Sequence, residues 1–350
     1  MSAKWRERDV DLAAVPRRPC GAGPARQPRR GSMSAFTDAI EEGDLDAVRA
    51  CPKADLHNHG ALCGHRGFLR ERTGVDIAPL TAPLRSMDEM HRWFEANIAP
   101  AFATQDKRAA RLLGWEAAFV QALADGVTRI EFGDDVWAIT QGHGGAAELR
   151  DSLSALHARV APQVEWIPLL AVSRHCSIKA LDRWLSPFLE LGVTGSFDLS
   201  GDELAQPIEV FAPLYAKAKS AGLRLKAHVG EWGTADDVRR AVELLELDEV
   251  QHGIAAADDA AVMRFLADNR IRLNICPSSN VMMGRVANLA AHPIRKLFDA
   301  GVMVTVNTDD VLFFGNGVSE EFLALHRAGV FAARELDRIR MNGLDDTRRT

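Results

Sequence analysis

The sequence has little cysteine, and the cysteines it has are scattered. Its 350 residues include five cysteines, an odd number, and no two of them form a CxxC pair. That usage argues against a disulfide framework and against a zinc site built from thiolates, and it is typical of a reducing compartment. We therefore expect a cytoplasmic protein without structural disulfides.

Two other absences narrow the range of partners. No apolar run approaches the ~18 residues of a membrane span, and the N-terminus lacks the apolar segment of a secretory signal. The formal net charge of −6 provides no basic excess for binding phosphates. We expect a small-molecule substrate, and neither a membrane nor a nucleic acid as partner. A monomer and a homodimer both stay open.

The one basic concentration lies near the N-terminus, in the segment VPRRPCGAGPARQPRRGS. This segment is rich in proline, glycine and arginine and has no apolar period, so we predict a disordered leader over residues 1–34. Met33 is a candidate for the native start. Residues 35–350 are predicted to form a single domain, because one alternation of strand and helix patterns runs through them.

Short runs rich in β-branched residues alternate with helical patterns along this domain. Eight runs predict strands: KADLH, VTRIEF, VEWIPLLA, VTGSFDL, LRLKAH, DEVQH, IRLNIC and VMVTVNT. Helices between successive strands imply parallel βα units. Eight such units favour a closed (β/α)8 barrel, the TIM-barrel fold, over an open sheet. An open flavodoxin-like sheet would need fewer strands, and usually a glycine-rich phosphate turn that the sequence does not contain.

The gap between the first two predicted strands is long, from His59 to Val127. It contains helical patterns such as MDEMHRWFEANIAPAF. In a barrel, a helical insertion at this place would cover the C-terminal mouth, where it can enclose a substrate.

Polar residues stand at the ends of several predicted strands. They are His57 and His59, His228, His252, and the pair Asp309 and Asp310. His57 and His59 are two residues apart, so both rings point to one side of the strand. The carboxyl ends of the strands are also where barrel enzymes hold their catalytic groups. We therefore expect these side chains to meet at one edge.

Each of these pieces has an ordinary explanation when taken alone. Two histidines can be solvated or partly buried, His228 can be a hydrogen-bonded strand-end residue, and an Asp-Asp pair is common in turns and helix N-caps. Together, imidazoles and a carboxylate without thiolates predict a metal site with nitrogen and oxygen ligands. One zinc ion is the first expectation, and iron, nickel, cobalt or manganese stay open.

The motifs of this edge resemble the adenosine deaminase family of the metal-dependent amidohydrolase superfamily. DLHNH, HVGE, QHGI, CPSSN and VTVNTDD follow in that family's order and approximate spacing, and DLSGDE resembles its fourth-strand motif. The resemblance runs from about Cys51 to Asn342. The cytidine-type zinc deaminases, which carry a PCxxC motif, are excluded because CPSSN has a single cysteine.

The resemblance implies a role for each matching residue. The ligands of one metal ion would be His57, His59, His228 and Asp309, and the catalytic residues Glu231, His252 and Asp309. The substrate contacts would include His59, Asp310 at the five-membered ring, and the backbone N–H of Gly201 at the six-membered ring. Glu231 would hold a proton near a purine ring nitrogen, and His252 would be a base or electrostatic partner beside the metal-bound water.

The implied reaction is the hydrolytic deamination of an aminopurine nucleoside or base, from an adenosine-like substrate to an inosine-like product and ammonia. A bound metal lowers the pKa of water from about 15.7 to about 7 and supplies hydroxide at neutral pH. An aromatic C–NH2 carbon is a poor electrophile, so a ring nitrogen must gain a proton as hydroxide attacks. A glutamic acid held protonated at an apolar mouth can supply that proton, and Glu231 is the expected donor.

The sequence departs from the family pattern where the substrate's substituent would lie. His59 is followed directly by Gly60, so the acidic residue that the family places near the sugar is missing. His65 and Arg66 could meet an anionic substituent or lie in a solvated loop. Trp232 is a further candidate substrate contact that could stack on an aromatic substrate or pack against the protein. The substituent on the ring is therefore left open.

Two other functions also stay open. The first is another superfamily hydrolase acting on a different C–N or ester bond, although Glu231, Asp310 and Gly201 fit a purine better than a phosphoester. No lysine ends the fourth predicted strand, where two-metal hydrolases often carry one, which favours a single metal ion. The second is a catalytically silent, deaminase-like binding protein, against which the complete ligand set argues.

Overall fold

The computed structural model of the protein describes residues 34–137, 145–192 and 195–345. Of the predicted leader, residues 1–34, only Ser34 falls within these ranges. Val193 and Thr194, the first two residues of the predicted fourth strand, also lie outside the described residues.

All eight predicted strands are present, and they pair side by side in chain order as parallel neighbours. Their bounds are β1 Lys53–Asp55, β2 Val127–Asp135, β3 Glu165–Ser173, β4 Ser196–Ser200, β5 Arg224–Val229, β6 Glu249–His252, β7 Arg272–Ile275 and β8 Met303–Val306. The sheet returns on itself where Asn58 bridges Asp309, and the Asp309 N–H donates to the His57 carbonyl oxygen at 3.0 Å. This nearly closed barrel confirms the predicted (β/α)8 fold.

Helices connect successive strands, and further helices precede β1 or follow β8. They are α1 Ala35–Glu42, α2 Leu45–Arg49, α3 Arg66–Thr73, α4 Met87–Asn97, α5 Lys107–Ala124, α6 Ala146–Val160, α7 Ile178–Glu190, α8 Ala212–Ser220, α9 Ala235–Leu245, α10 Ala260–Asp268, α11 Pro277–Met282, α12 Ile294–Asp299, α13 Val311–Phe314, α14 Val318–Arg327 and α15 Ala333–Leu344. Short 3₁₀ helices span Gly60–Cys63, Ala99–Ala101, Ile208–Phe211, Ile254–Asp258 and Leu289–Ala291. Within the described ranges, no helix combines the length and the apolar content that crossing a bilayer requires.

Helix α9 shows how local sequence produces these connections. Thr234 and Asp237 form a reciprocal capping box at its start, which satisfies backbone N–H groups that have no partner inside the helix. Val238, Ala241 and Leu245 are buried and recur at helical spacing, so they form one apolar stripe. That stripe packs α9 against the barrel, where α9 contacts β5 and β6.

Buried charges occupy part of the interior that the strands line. Nζ of Lys226 lies 2.7 Å from the Glu131 carboxylate and 2.9 Å from the Glu249 carboxylate, and it donates to the Leu56 carbonyl oxygen at 3.2 Å. Arg272 also pairs with Glu249. Because buried charges are unfavourable unless they are paired, this network ties β2, β5, β6 and β7 together in one register.

The insertion between β1 and β2 contains α3, α4 and α5, and it packs beside the end of β8. Leu69 of α3 and Leu113 of α5 belong to an apolar cluster that also contains Phe313 and Phe314 of α13. We call it the second apolar cluster, since the barrel has its own core. Because α13 begins directly after Asp310, this cluster places the insertion next to the carboxyl ends of the strands.

Candidate active site at the carboxyl ends of the strands

The structure brings the four predicted metal ligands together; we call His57, His59, His228 and Asp309 the ligand cluster. His57 and His59 follow β1, His228 lies in β5, and Asp309 follows β8. Nε2 of His228 is 3.0 Å from Nε2 of His57 and 3.2 Å from Nε2 of His59. Oδ1 of Asp309 is 3.0 Å from Nε2 of His59 and 3.5 Å from Nε2 of His57. One ligand atom from each residue lies within 4.8 Å of the others, a spacing that suits a single ion.

Groups outside the ligand cluster orient two of its imidazoles. Nδ1 of His57 is 3.0 Å from the carbonyl oxygen of Asn274, which can only accept, so the proton of this ring is on Nδ1. Nδ1 of His228 lies 3.0 Å from Oδ2 of Asp198, which favours the same tautomer. In both rings Nε2 keeps its lone pair for a metal ion. This arrangement is the usual one around histidine ligands.

The charges around the ligand cluster favour a cation. Burial lowers the pKa of His59, but Asp310 and Asp309 outweigh it and raise the pKa to about 10. Burial would raise the pKa of Asp309, yet the neighbouring imidazoles of His57 and His59 hold it well below its usual range, so the carboxylate is ionised. Ser279 Oγ donates to Oδ2 of Asp309 at 2.5 Å and leaves Oδ1 to the histidines. A divalent cation with a preference for nitrogen and oxygen ligands fits this surplus of negative charge.

A chain of hydrogen bonds fixes the tautomer of His252. The Ile294 N–H donates to Nδ1 of His292 at 3.1 Å, so His292 carries its proton on Nε2, 3.2 Å from Oδ1 of Asn280. The Asn280 amide then donates to Nδ1 of His252 at 3.1 Å. Burial lowers the pKa of His252 well below its usual value, so the ring is neutral. Its one proton is therefore on Nε2, 3.7 Å from the Glu231 carboxyl group.

Burial and neighbouring carboxylates raise the pKa of two further carboxyl groups of the site. Burial raises the pKa of Glu231, the nearby Asp309 and Glu203 raise it further, and it reaches about 8. Burial also raises the pKa of Asp310, where Asp309 adds to the effect and His59 opposes it, to about 7. Oδ1 of Asp310 is buried and makes no hydrogen bond within the described part of the chain, so it is available to a ligand.

The backbone is unusual at two of these strand ends. His252 has a φ of 62° and Asp309 a φ of 61°, in the left-handed region that residues other than glycine seldom adopt. Such conformations cost on the order of 1–3 kcal/mol each and persist where the surrounding structure imposes them. Here they turn the chain after β6 and β8 at the points where both side chains join the site.

A cavity of about 610 Å³ lies beside the ligand cluster. Its wall includes His57, His59 and His228, and the insertion contributes Phe94 and Phe102. The volume falls within the roughly 300–1,000 Å³ typical of small-molecule sites. The cavity therefore connects the histidines to a mostly apolar space that can hold a purine base or nucleoside.

Two other predicted substrate contacts lie near the ends of β4 and β5. Gly201 follows β4 with a φ of 87°, and a Cβ there would lie 3.2 Å from Oγ of Ser173, so the turn suits glycine. The Trp232 ring faces the guanidinium of Arg285, whose central carbon is 4.3 Å from the ring centroid, and it also packs against the second apolar cluster. Contacts of these two residues with a purine stay predictions.

His65 and Arg66 stabilise the loop that contains them. Nδ1 of His65 accepts the Phe68 N–H at 3.1 Å and caps α3. Nη2 of Arg66 donates to the carbonyl oxygens of Val311 and Leu312 at 2.7 and 2.8 Å. Arg66 thereby ties the start of α3 to α13, so these contacts account for both residues without an anionic substituent.

Sequence reasoning assigned no role to three residues that contact the predicted site residues. They are Asp198 beside His228, Asn280 beside His252, and Glu203 on the loop of Glu231. Each belongs to a motif that the sequence does display, DLSGDE or CPSSN. The motifs therefore marked these three residues as candidates. The side chains and backbone groups that they contact could be identified only from the structure.

Known deaminases match the sequence over most of its length. The family model described as adenosine deaminase matches residues 154–347. A protein from Treponema pallidum, named as an adenosine/adenine deaminase, is 37% identical over 287 residues, which cover 82% of this chain and 95% of that protein. An adenine deaminase from Albidiferax ferrireducens is 31% identical over 288 residues, which cover 79% of this chain and 83% of that protein. The crystal structure of adenine deaminase from Arthrobacter aurescens has a TM-score of 0.69 at 26% identity and covers 84% of this chain and 92% of that chain.

Proposed function

Because the chain belongs to the adenosine deaminase family and is a hydrolase that deaminates purines, we propose that it acts on an adenine-like base or nucleoside. In this reaction the bond between the ring carbon and the exocyclic amino group is hydrolysed. The ring carbon gains a carbonyl oxygen from water, and the amino group leaves as ammonia. The observation that carries this proposal is the meeting of the ligand cluster with Glu231 and His252 at one strand edge, where burial and Asp309 raise the pKa of Glu231.

The ligand cluster would hold one zinc ion through three imidazole nitrogens and the Asp309 carboxylate. A zinc ion held there would supply a nucleophile from water at neutral pH. The donor set fits, since it offers nitrogen and oxygen, contains no thiolate, and has two rings whose outer nitrogens are already engaged. Another divalent metal with the same preferences would fit the same donors.

Glu231 would donate a proton to a ring nitrogen of the purine. Its pKa of about 8 keeps the carboxyl group protonated at neutral pH. The C–NH2 carbon becomes electrophilic enough only when that ring nitrogen gains a proton, and a positioned acid of this kind typically contributes 10²–10⁴-fold, as an order of magnitude. Oε2 of Glu231 and Nε2 of His252 are 3.7 Å apart, so both groups can contact the same face of the substrate.

His252 and Asp310 would stabilise and orient the substrate. With its proton on Nε2, His252 is a hydrogen-bond donor that can stabilise negative charge on the oxygen that adds to the ring. Oδ1 of Asp310 lacks a partner in the described structure and can bind a polar group of the five-membered ring. Together with Glu231 they would hold the purine on more than one edge.

Ammonia release by the purified, zinc-loaded protein tests this function. The substrates are adenine, adenosine, 2′-deoxyadenosine and 5′-modified adenosines, with the aminopyrimidine cytosine as the control. Adenine is the first choice, because two of the similar proteins are named adenine deaminases. We expect turnover of at least one aminopurine and none of cytosine. Metal-replete protein that turns over no aminopurine would contradict the proposal.

A further inference from the structure

A second carboxylate binds the backbone that carries Glu231. Oε1 of Glu203 accepts the Gly230 N–H at 2.6 Å, and its Oε2 accepts the N–H groups of Glu231, Trp232 and Gly233 at 3.1, 2.8 and 3.1 Å. Glu203 is itself buried, with 7% of its surface exposed. Successive N–H groups that converge on one anion form a nest. Charge-assisted hydrogen bonds of this kind are roughly twice as strong as neutral ones.

The opposite side of the same loop is bound by Arg285. Its Nε donates to the carbonyl oxygen of Glu231 at 3.1 Å, and its guanidinium stacks on the neighbouring Trp232 ring. The N–H and the C=O of Glu231 are therefore both engaged by charged side chains, one from the segment after β4 and one from the segment after α11. Neither contact uses the Glu231 carboxyl group, which stays available for the reaction.

Two glycines shape this loop, and one of them allows the close approach of Glu203. A Cβ on Gly233 would lie 2.6 Å from Oε1 of Glu203, so any larger residue would displace the carboxylate. Gly230 has a φ of 73°, and a Cβ there would lie 2.3 Å from Val238. Gly233 thus leaves room for Glu203 against the backbone, and Gly230 allows the turn that precedes it.

We propose that Glu203 is a positioning residue, which holds the 230–233 loop so that the Glu231 carboxyl group reaches the ring nitrogen of the substrate. This inference rests on the proposed role of Glu231 as proton donor. Glu203 also contributes electrostatically. Burial has the largest effect on the pKa of Glu231 and raises it. Asp309 and Glu203 raise this pKa further, Arg285 lowers it, and the neutral His252 lies beside the carboxyl group. A residue that only stabilised the fold would not change the pH at which Glu231 loses its proton.

The first experiment compares Glu203→Gln with the wild-type protein. The glutamine has the same size, but it removes the charge and turns an NH2 group towards the N–H donors of the loop. A misplacement of a catalytic group by about 1 Å can lower the rate about 10²-fold, so a shifted Glu231 carboxyl group should lower kcat by that order. KM should change less than about threefold, because binding of the substrate is affected less. The alkaline limb of the kcat/KM profile should move to lower pH, since a nearby negative charge is lost. Bound metal should be unchanged.

Glu209→Gln is the matched control. Glu209 lies on the same connection between β4 and α8, is exposed, and pairs with Arg240 at the surface. The same substitution there should leave kcat, the pH profile and metal content at wild-type values. Hydrogen exchange of the peptide that contains residues 230–233 adds a readout independent of activity. We expect it to quicken in Glu203→Gln and to stay unchanged in Glu209→Gln.

Arg285→Met provides a second variant, and its exposed position makes folding of the variant secure. Removing this positive charge should lower kcat and move the alkaline limb to higher pH, opposite to the effect of Glu203→Gln. A folded, metal-replete Glu203→Gln protein with wild-type kcat and an unshifted limb would overturn the role of Glu203. Wild-type protein that released no ammonia would instead overturn the proposed function, so the two failures are distinguishable.

Discussion

Oδ2 of Asp198, on β4, lies 3.0 Å from Nδ1 of His228, on β5. Burial raises the pKa of Asp198, but His228 outweighs burial and lowers it below its usual value, so an ionised carboxylate stands beside the ring. Asp198 and Glu203 belong to the same motif, DLSGDE. One short segment therefore orients two groups from the following βα unit, the His228 ring and the loop of Glu231.

Asp198→Ala should weaken zinc binding by about 10–100-fold, because Nδ1 of His228 loses its acceptor and the ring loses its fixed tautomer. Competition with a zinc chelator measures the affinity. Asp236→Ala, at the exposed start of α9, is the control and should bind zinc as the wild-type protein does. An unchanged affinity in Asp198→Ala would show that this carboxylate does not support the ligand cluster.

Glu231→Gln should retain its metal and lose kcat by about 10²–10⁴-fold, because the amide cannot donate the proton that the ring nitrogen needs. Ammonia release and elemental analysis of the same sample separate the two properties. The control is Glu190→Gln at the exposed end of α7. Full activity of the Glu231→Gln protein would remove this residue from the mechanism.

The rate should fall on the alkaline side near pH 8. Glu231 is the acid, so the active form is the protonated one, which predominates below its pKa of about 8 and is lost as the pH rises through that value. We expect kcat/KM, measured from about pH 6 to about pH 10, to decline about tenfold per unit above this point. In a Glu231→Gln protein with residual activity, this limb should be absent; its persistence would assign the limb to another group.

Asn280→Ala should lower kcat by at least about tenfold without loss of metal, because Nδ1 of His252 loses its donor and the proton can leave Nε2. Histidine ¹⁵N NMR reports the tautomer, and it should show the Nε2–H form of His252 only in the wild-type protein. Asn269→Ala, at the exposed end of α10, is the control. An unaltered His252 signal in Asn280→Ala would disprove the hydrogen-bond chain from His292.

Lys226→Met should destabilise the barrel by about 3–5 kcal/mol, because it leaves Glu131 and Glu249 buried without this partner. Urea unfolding followed by circular dichroism measures the free energy of unfolding. Lys217→Met removes an exposed lysine that pairs with Asp182, and it should cost less than about 1 kcal/mol. Equal effects of the two substitutions would contradict the importance of the buried network.

Much of the site could be predicted because two regularities are local. Side chains two residues apart in a strand share a side, which is why His57 and His59 were expected to point together. Their rings do meet, although β1 already ends at Asp55. Parallel strands share one carboxyl edge, so residues that end different strands, such as His228 and Asp309, were expected to meet there. By contrast, the sequence left two roles open for three residues, a substrate contact or a place in the protein's own structure. They are His65, Arg66 and Trp232. Residue type alone does not reveal which backbone groups or rings lie beside them.

The sequence by itself determined the order of the eight strands along the chain and the polar residues at their ends, since apolar periods and turn residues act within short windows. Only the tertiary structure decided which atoms meet there. Glu203 and Gly230 are 27 residues apart and come from different βα units. Asn280, in the helix that follows β7, contacts His252 at the end of β6. Such contacts depend on the closure and stagger of the whole barrel, which no local pattern encodes.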